Sequence, residues 1–168
     1  MEQDARQSVV VARAENADVD GIVALSRLNE AENGGSLTGR RTQATVAAAL
    51  ARLPSIVARR DGRIVGFLLT ADKTAPDLPP VVRAMLAAYP GAPDAYIYGP
   101  ICVDASERGS GVAAAMVGEL KRLLPGREGI LFIRRDNPAS LSAHRKLGMC
   151  EVAGFAHDGA EFAVFAYR

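Results

Sequence analysis

An apolar segment that runs into two closely spaced glycines, and then into an alanine-rich stretch, constrains this chain more than any other part of it. The residues are Ile101-Cys102-Val103-Asp104-Ala105-Ser106-Glu107-Arg108-Gly109-Ser110-Gly111-Val112-Ala113-Ala114. They read as a strand, a turn and the start of a helix. The first backbone N–H groups of such a helix have no intrahelical partner, and the helix dipole adds partial positive charge beside them. A phosphate or pyrophosphate suits that arrangement. Gly109 and Gly111 carry no Cβ, so a bulky anion can come close to the backbone. Arg108 can add a charge-assisted contact. The same residues are equally compatible with a strand-to-helix turn in which the glycines serve geometry alone.

The bulk of the chain narrows the classes open to it. Its 168 residues suit one domain, spanning 1–168, with a single sizeable core. A hydrophobic content of 49% and a charged content of 23% belong to a folded globular protein, not a disordered one. A net charge of +1 supplies no strong field for nucleic acid or an anionic membrane, so neither is expected as a partner. The polar start, Met1 to Arg6, lacks the basic and apolar regions of a signal peptide, and no apolar run reaches a membrane span. Cys102 and Cys150 have neither metal-motif nor disulfide-framework spacing, so no metal is expected. A cytoplasmic protein is the expectation.

Local patterns predict an order of elements. Ser8 to Arg13 reads as a strand, and Asn16 or Asp18 caps a helix to about Asn29. Residues 30–41, with Gly34, Gly35 and Gly39, read as a mobile loop, and Thr42 to Leu53 as a helix stopped by Pro54. Residues 55–69 form a hairpin around Asp61-Gly62. A short helix follows at Val81 to Tyr89, then a strand at Tyr96 to Val103, interrupted at Gly99-Pro100, where pairing is expected to be broken or bulged. The helix after the glycine turn ends near Leu124, and Ile130 to Arg134 is a strand. Asn137-Pro138 opens a helix that Gly148 closes, and a last hairpin turns at Asp158-Gly159. The fold class is α+β: one mixed, mostly antiparallel sheet with flanking helices.

Gly109 to Ala114 matches the dinucleotide fingerprint G-x-G-x-x-A, and Asp136 sits near the place of its ribose partner. The hairpins at 55–69 and 149–167 fit poorly with the parallel sheet that an NAD(P)-binding unit requires. A later segment points elsewhere. In Asn137-Pro138-Ala139-Ser140-Leu141-Ser142-Ala143-His144-Arg145-Lys146-Leu147-Gly148-Met149, two helical turns separate Asn137 from His144, so both can share a face with Ser140. Asn137 can also be a simple helix cap, and Ser140 can support capping.

With these two segments the chain resembles the GNAT superfamily of N-acetyltransferases. Their R/Q-x-x-G-x-G/A motif is matched by Arg108 to Ala113. Their following signature, N-x-x-A/S-x-x-x-Y-x-K-x-G-F, is matched at Asn137, Ser140, Lys146 and Gly148. It departs at His144, where tyrosine is usual, and at Met149, where phenylalanine is usual. The resemblance covers residues 97–155, and the order of elements from Ser8 to Leu69 also fits.

What the resemblance implies is a sheet splayed beside Gly99-Pro100 that holds acetyl-CoA as co-substrate. Backbone groups of Ile101, Cys102 and Val103 would pair with pantetheine amides. Arg108 and the amides of Gly109, Ser110, Gly111, Val112 and Ala113 would take the pyrophosphate, and Asn137 and Ser140 would serve the cofactor arm. Acetyl transfer to an amine needs a proton on the leaving thiolate, and His144 stands where the family's tyrosine donor does. No carboxylate lies between Tyr96 and Val103 to act as base; Tyr98, Glu30, Glu32 and Asp94 are candidates by location only. Cys102 invites an acyl-cysteine route but has no histidine beside it in sequence, and core packing is the expectation for it. Arg134-Arg135 could reach the 3′-phosphate of coenzyme A or simply be a solvated strand end. The acceptor is a primary amine of a small molecule or a peptide, bound through the 30–41 and 74–95 segments. Similar proteins are often homodimers. The rival reading is a non-catalytic acyl-CoA-binding or sensor module, which the tyrosine-to-histidine departure leaves open.

Overall fold

The computed structural model describes residues 8–33, 37 and 39–168. In chain order these form β1 (Val10–Arg13), α1 (Val19–Leu28), α2 (Gln43–Arg52), β2 (Ile56–Arg60), β3 (Arg63–Asp72), α3 (Pro80–Ala88), β4 (Tyr96–Val103), α4 (Val112–Leu123), β5 (Gly129–Arg134), α5 (Pro138–Lys146), β6 (Cys150–His157) and β7 (Ala160–Tyr167). Strand hydrogen bonding follows the order β1-β2-β3-β4-β5-β7-β6, a seven-stranded mixed sheet. The β4–β5 pair is parallel, whereas β1–β2, β2–β3, β5–β7 and β6–β7 are antiparallel. The order of strands and helices expected from the sequence is the order observed. A sheet so rich in antiparallel pairs is not the doubly wound parallel sheet of a dinucleotide-binding unit, and that reading of the glycine turn is set aside.

Local chemistry explains the boundaries. Thr42 and Thr45 cap α2 reciprocally: the Thr45 amide donates to Thr42 Oγ1 at 3.2 Å and the Thr42 amide to Thr45 Oγ1 at 3.0 Å. The two hairpin turns are left-handed at both central residues, with φ of 52° and 76° at Asp61-Gly62 and 48° and 75° at Asp158-Gly159. Turns of that hand match the twist of the flanking strands. The loop expected at 30–41 begins with a single tight turn at Ala31–Asn33 and a bridge between Glu30 and Leu37; its Gly34 and Gly35 lie outside the described residues.

The chain divides into two compact units. The first comprises Met1–Leu69 with Pro100–Leu123. Its core gathers Ile22, Val46, Val57, Phe67 and Cys102 from helix and sheet. Gly66 on β3 leaves room for close packing, since a Cβ there would meet the Met116 side chain at 3.1 Å and the Cys102 carbonyl at 3.3 Å. The Asp104 amide, just past β4, donates to the Val65 carbonyl at 2.8 Å and fixes where the chain leaves the sheet.

The second unit comprises Thr70–Gly99 with Leu124–Arg168 and packs Met85, Ala95, Ile97, Ile130 and Val164 together. The β4–β5 ladder has two registered pairs, Tyr96↔Gly129 and Ile97↔Ile130. The register with β5 stops at Ile97, just ahead of the pairing break expected at Gly99-Pro100, although the strand itself is not interrupted. Gly99 adopts φ 107°, Pro100 has no N–H to give, and β4 continues to Val103. The 74–95 segment is tied down by one buried carboxylate: Glu128 accepts from the Tyr89 hydroxyl at 3.0 Å and from the Ala92 amide at 2.7 Å. Lys73 adds bonds to the Pro90 and Ala92 carbonyls at 3.0 and 2.6 Å.

Gly129 packs against the ring of Tyr167, and a Cβ at that position would lie 2.5 Å from Cε1 and 2.6 Å from Cζ. Gly129→Ala is expected to destabilise the protein by about 1–3 kcal/mol through overpacking. Urea denaturation checks this, and an unchanged midpoint would show that Tyr167 yields freely.

Candidate functional site

In the first unit the glycine turn is built on a short helical turn, Ala105–Glu107, whose start is capped by Asp104. Asp104 accepts from the Ser106 amide at 2.9 Å and the Ser106 hydroxyl at 2.7 Å, and these bonds hold its carboxyl below the usual range. Glu107 is the buried keystone. Its carboxylate takes a two-point contact from the Arg60 guanidinium, Nε to Oε1 at 2.6 Å and Nη2 to Oε2 at 2.9 Å. Its carbonyl accepts both the amide and the hydroxyl of Ser110. The turn is thereby held from below.

The consequence for an anion is specific. Gly109 and Gly111 adopt φ 77° and 84°, a conformation other residues rarely take, and nothing lies within 4 Å of where a Cβ would stand on either. The Ala115 amide bonds the Gly111 carbonyl at 3.0 Å, so the N–H groups of Val112, Ala113 and Ala114 precede the intrahelical ladder of α4. Those amides, at the positive end of a 12-residue helix, form an anion-favouring surface. Ser110 differs from the other expected phosphate ligands, because its amide and hydroxyl are both engaged by Glu107. Arg108 is exposed and is oriented by Asn29 at the end of α1, Nη2 to Oδ1 3.1 Å.

Cys102 lies in the apolar core of this unit, and burial pushes its thiol up to about 11 against the opposing pull of Arg108 and Arg41. The raised value favours the thiol over the thiolate at neutral pH, in keeping with core packing and against an acyl-cysteine role. Ile101 and Val103 flank it, half-buried on β4. Glu30 is buried, and its Oε1 has no hydrogen-bond partner among the described residues. Glu32 is exposed.

In the second unit Asn137 caps α5, accepting from the Ser140 amide at 3.1 Å. His144, two turns on, is 6% exposed. Its Nδ1 lies 2.8 Å from the Ser140 carbonyl and 3.3 Å from the Ser140 hydroxyl, and its Nε2 lies 3.4 Å from the Tyr98 hydroxyl. The Tyr98 and His144 rings meet edge to face at 5.7 Å. Burial holds the imidazole below its ordinary 6.5 and drives the Tyr98 phenol upward, so both are neutral at pH 7. Of the base candidates in this unit, Tyr98 is brought against His144, whereas Asp94 is exposed. Arg134 and Arg135 are exposed and paired with Asp136 at 2.8 Å and Glu151 at 2.7 Å. The groups that sequence reading missed, Arg60 and Glu107, lie 47 residues apart; no periodicity or motif links them.

Two outcomes follow from this chemistry. Glu107→Ala keeps the carbonyl that holds Ser110 but removes the carboxylate that anchors it to Arg60, so the turn loosens; affinity of the turn for a phosphorylated nucleotide should fall by about tenfold, read by calorimetry. His144 binds fewer protons when folded than when unfolded. Stability is therefore full above pH 6.5 and declines as pH falls from there through the folded-state value. Urea midpoints at about pH 5 and 7.5 should separate more in the wild type than in His144→Gln, and equal separations would show that burial of this imidazole costs nothing in acid.

The sequence model of the acetyltransferase (GNAT) family matches residues 10–149. No curated protein is close enough in sequence to match. Among solved structures, yncA of Salmonella typhimurium with its cofactor acetyl-CoA superposes with a TM-score of 0.71 at 16% identity, covering 96% of this chain and 94% of that one. An N-acetyltransferase from Staphylococcus aureus Mu50 gives 0.69 at 19% identity, covering 96% and 98%. The ribosomal-protein-S18-alanine N-acetyltransferase from Escherichia coli gives 0.68 at 16%, covering 95% and 92%. At these identities the likeness is one of fold, and with a family match over most of its length the chain belongs to the acetyltransferase (GNAT) family.

Proposed function

We propose that the chain, as one domain over 1–168 working in a cytoplasmic setting, moves an acetyl group from acetyl-CoA to a primary amine of a small molecule or peptide by direct transfer. The observation that carries this reading is the glycine turn, with φ 77° at Gly109, φ 84° at Gly111, open space above both, and the leading amides of α4 behind them. That geometry suits the pyrophosphate of coenzyme A, with Arg108 beside it. The cofactor held by yncA, a protein of the same fold, agrees with this choice. Backbone groups of Ile101, Cys102 and Val103 take the pantetheine arm, and Asn137 and Ser140 serve the arm further along.

The amine nitrogen attacks the thioester carbonyl: a C–N bond forms, the C–S bond breaks, and the proton the amine gives up ends on sulfur. His144 handles that proton. Because its resting form is neutral, it must take the proton before it can donate one to the thiolate. The glutamate-free strand Tyr96–Val103 leaves the amine without a carboxylate base of its own there.

One observation favours a second reading, a non-catalytic acyl-CoA-binding module: both ring nitrogens of His144 already have protein partners. Calorimetry with acetyl-CoA, coenzyme A and NADH, followed by thiol release over a panel of amines, separates the two. Binding of both coenzyme A forms but not NADH, with release on at least one amine, is the expected result, and His144→Phe should lower kcat by about 10²-fold or more. No heat with coenzyme A sinks both readings, whereas binding without release on any amine selects the binding module.

A further inference from the structure

The imidazole of His144 has a determined proton arrangement. The Ser140 carbonyl is an acceptor only, so Nδ1, 2.8 Å away, carries the hydrogen. A neutral ring then has its lone pair on Nε2, and the Tyr98 hydroxyl at 3.4 Å must donate to it. Nδ1 faces the Ser140 carbonyl and hydroxyl of its own helix, so on the Nε2 side the group placed to pass a proton to or from this imidazole is Tyr98 Oη.

We propose that Tyr98 and His144 form a proton relay in which the imidazole exchanges its proton with the reaction through the Tyr98 hydroxyl. The inference rests on the acetyl-transfer reading and adds a residue to it. As the C–N bond forms, the amine proton passes to Tyr98 Oη, directly or by one water, while the proton already on Oη moves to Nε2. When the C–S bond breaks and its electron pair goes to sulfur, Nε2 returns its proton to Oη and the Oη proton goes to the thiolate. Tyr98 never becomes a free phenolate, which its burial would oppose.

The surroundings suit such a pair. Tyr98 is 4% exposed, its ring lies edge-on to Tyr167 at 5.8 Å, and the Tyr167 hydroxyl is itself bonded to Tyr96. Tyr98 is thus the titratable group that faces His144 from β4, with Tyr167 of β7 and Tyr96 behind it. On α5 the neighbouring cations point away: Arg145 is drawn to Glu151 at 3.7 Å and lies over the Phe165 ring, and Lys146 is exposed.

The test uses the full chain, Tyr98→Phe, His144→Phe and the double variant. Thiol release should fall by a similar factor, about 10²-fold in kcat, in each single variant, with KM for acetyl-CoA little changed. The double variant should be no slower than either alone, as residues acting as a unit are not additive. Additive losses in the double variant, or an unaltered kcat–pH profile in Tyr98→Phe, would overturn the relay. Long-range ¹H–¹⁵N spectra of the histidine rings, assigned with His157→Gln, need no substrate. They should show His144 neutral with hydrogen on Nδ1, and an upward shift of its titration in Tyr98→Phe, where the donor to the neutral ring is gone. Hydrogen on Nε2 in the wild type would overturn the proposal even if acetyl transfer stands. A chain that releases thiol on no amine would overturn the acetyl-transfer reading, and the relay with it, whatever the spectra show.

Discussion

The Arg60–Glu107 contact organises the first unit's contribution to function. A carboxylate 7% exposed is costly unless its charge is met, and the Arg60 fork meets both oxygens. Once the side chain is fixed there, the Glu107 carbonyl is fixed too, and it holds Ser110 by amide and hydroxyl. Ser110 sits between the two glycines, so their positive φ values are imposed from below and the face above them stays open. The open amides of α4 are preorganised by an ion pair that never meets the anion. An anion bound there would cost little loop ordering, the main loss a flexible phosphate loop would incur.

The second unit surrounds its candidate residue with neutral groups. Around His144 there is a backbone carbonyl, a phenol and stacked edges of aromatic rings, with the flanking arginine and lysine directed outward. In such surroundings an imidazolium is disfavoured and a hydrogen-bonded neutral ring is favoured. The departure from tyrosine at this position is therefore not a swap of one resident proton donor for another. A tyrosine carries its own transferable proton at rest, whereas a neutral His144 would have to be charged first, and in the proposed relay Tyr98 would do it.

Much of this was legible in the sequence because its signals are local. The Asp61-Gly62 and Asp158-Gly159 turns, the Asn137-Pro138 helix start and the Gly109/Gly111 turn each depend on a few adjacent residues, and each appears where the local chemistry puts it. At Gly99-Pro100 the missing proline donor is legible as disturbed pairing, and the register with β5 does stop at Ile97; that the strand runs on to Val103, with Gly99 at φ 107°, is not legible from that dipeptide. What could not be read joins distant positions. Arg60 to Glu107, Glu128 to Tyr89 and Ala92, and Tyr98 to His144 span 36 to 47 residues, and only the folded sheet brings them within reach. Ser110 was counted among the anion's amide donors for the same reason, since its partner is set by a carbonyl whose position depends on Arg60.

Burial acts in opposite directions on the chain's two candidate reactive groups and leaves both uncharged. It raises the Cys102 thiol to about 11 and lowers the His144 imidazole, since in each case the charged form is the one that loses water. A thiol at that value is almost wholly protonated at pH 7, and the two cations nearest to it, Arg108 and Arg41, do not offset the burial. A covalent acyl-enzyme on Cys102 would require its thiolate, which burial disfavours, and this agrees with the proposed attack by the amine itself on the thioester. That route needs no stored charge in the protein before substrate arrives. As proposed, it would need only a neutral acceptor charged and discharged within one turnover, and the neutral ring of His144 suits that part.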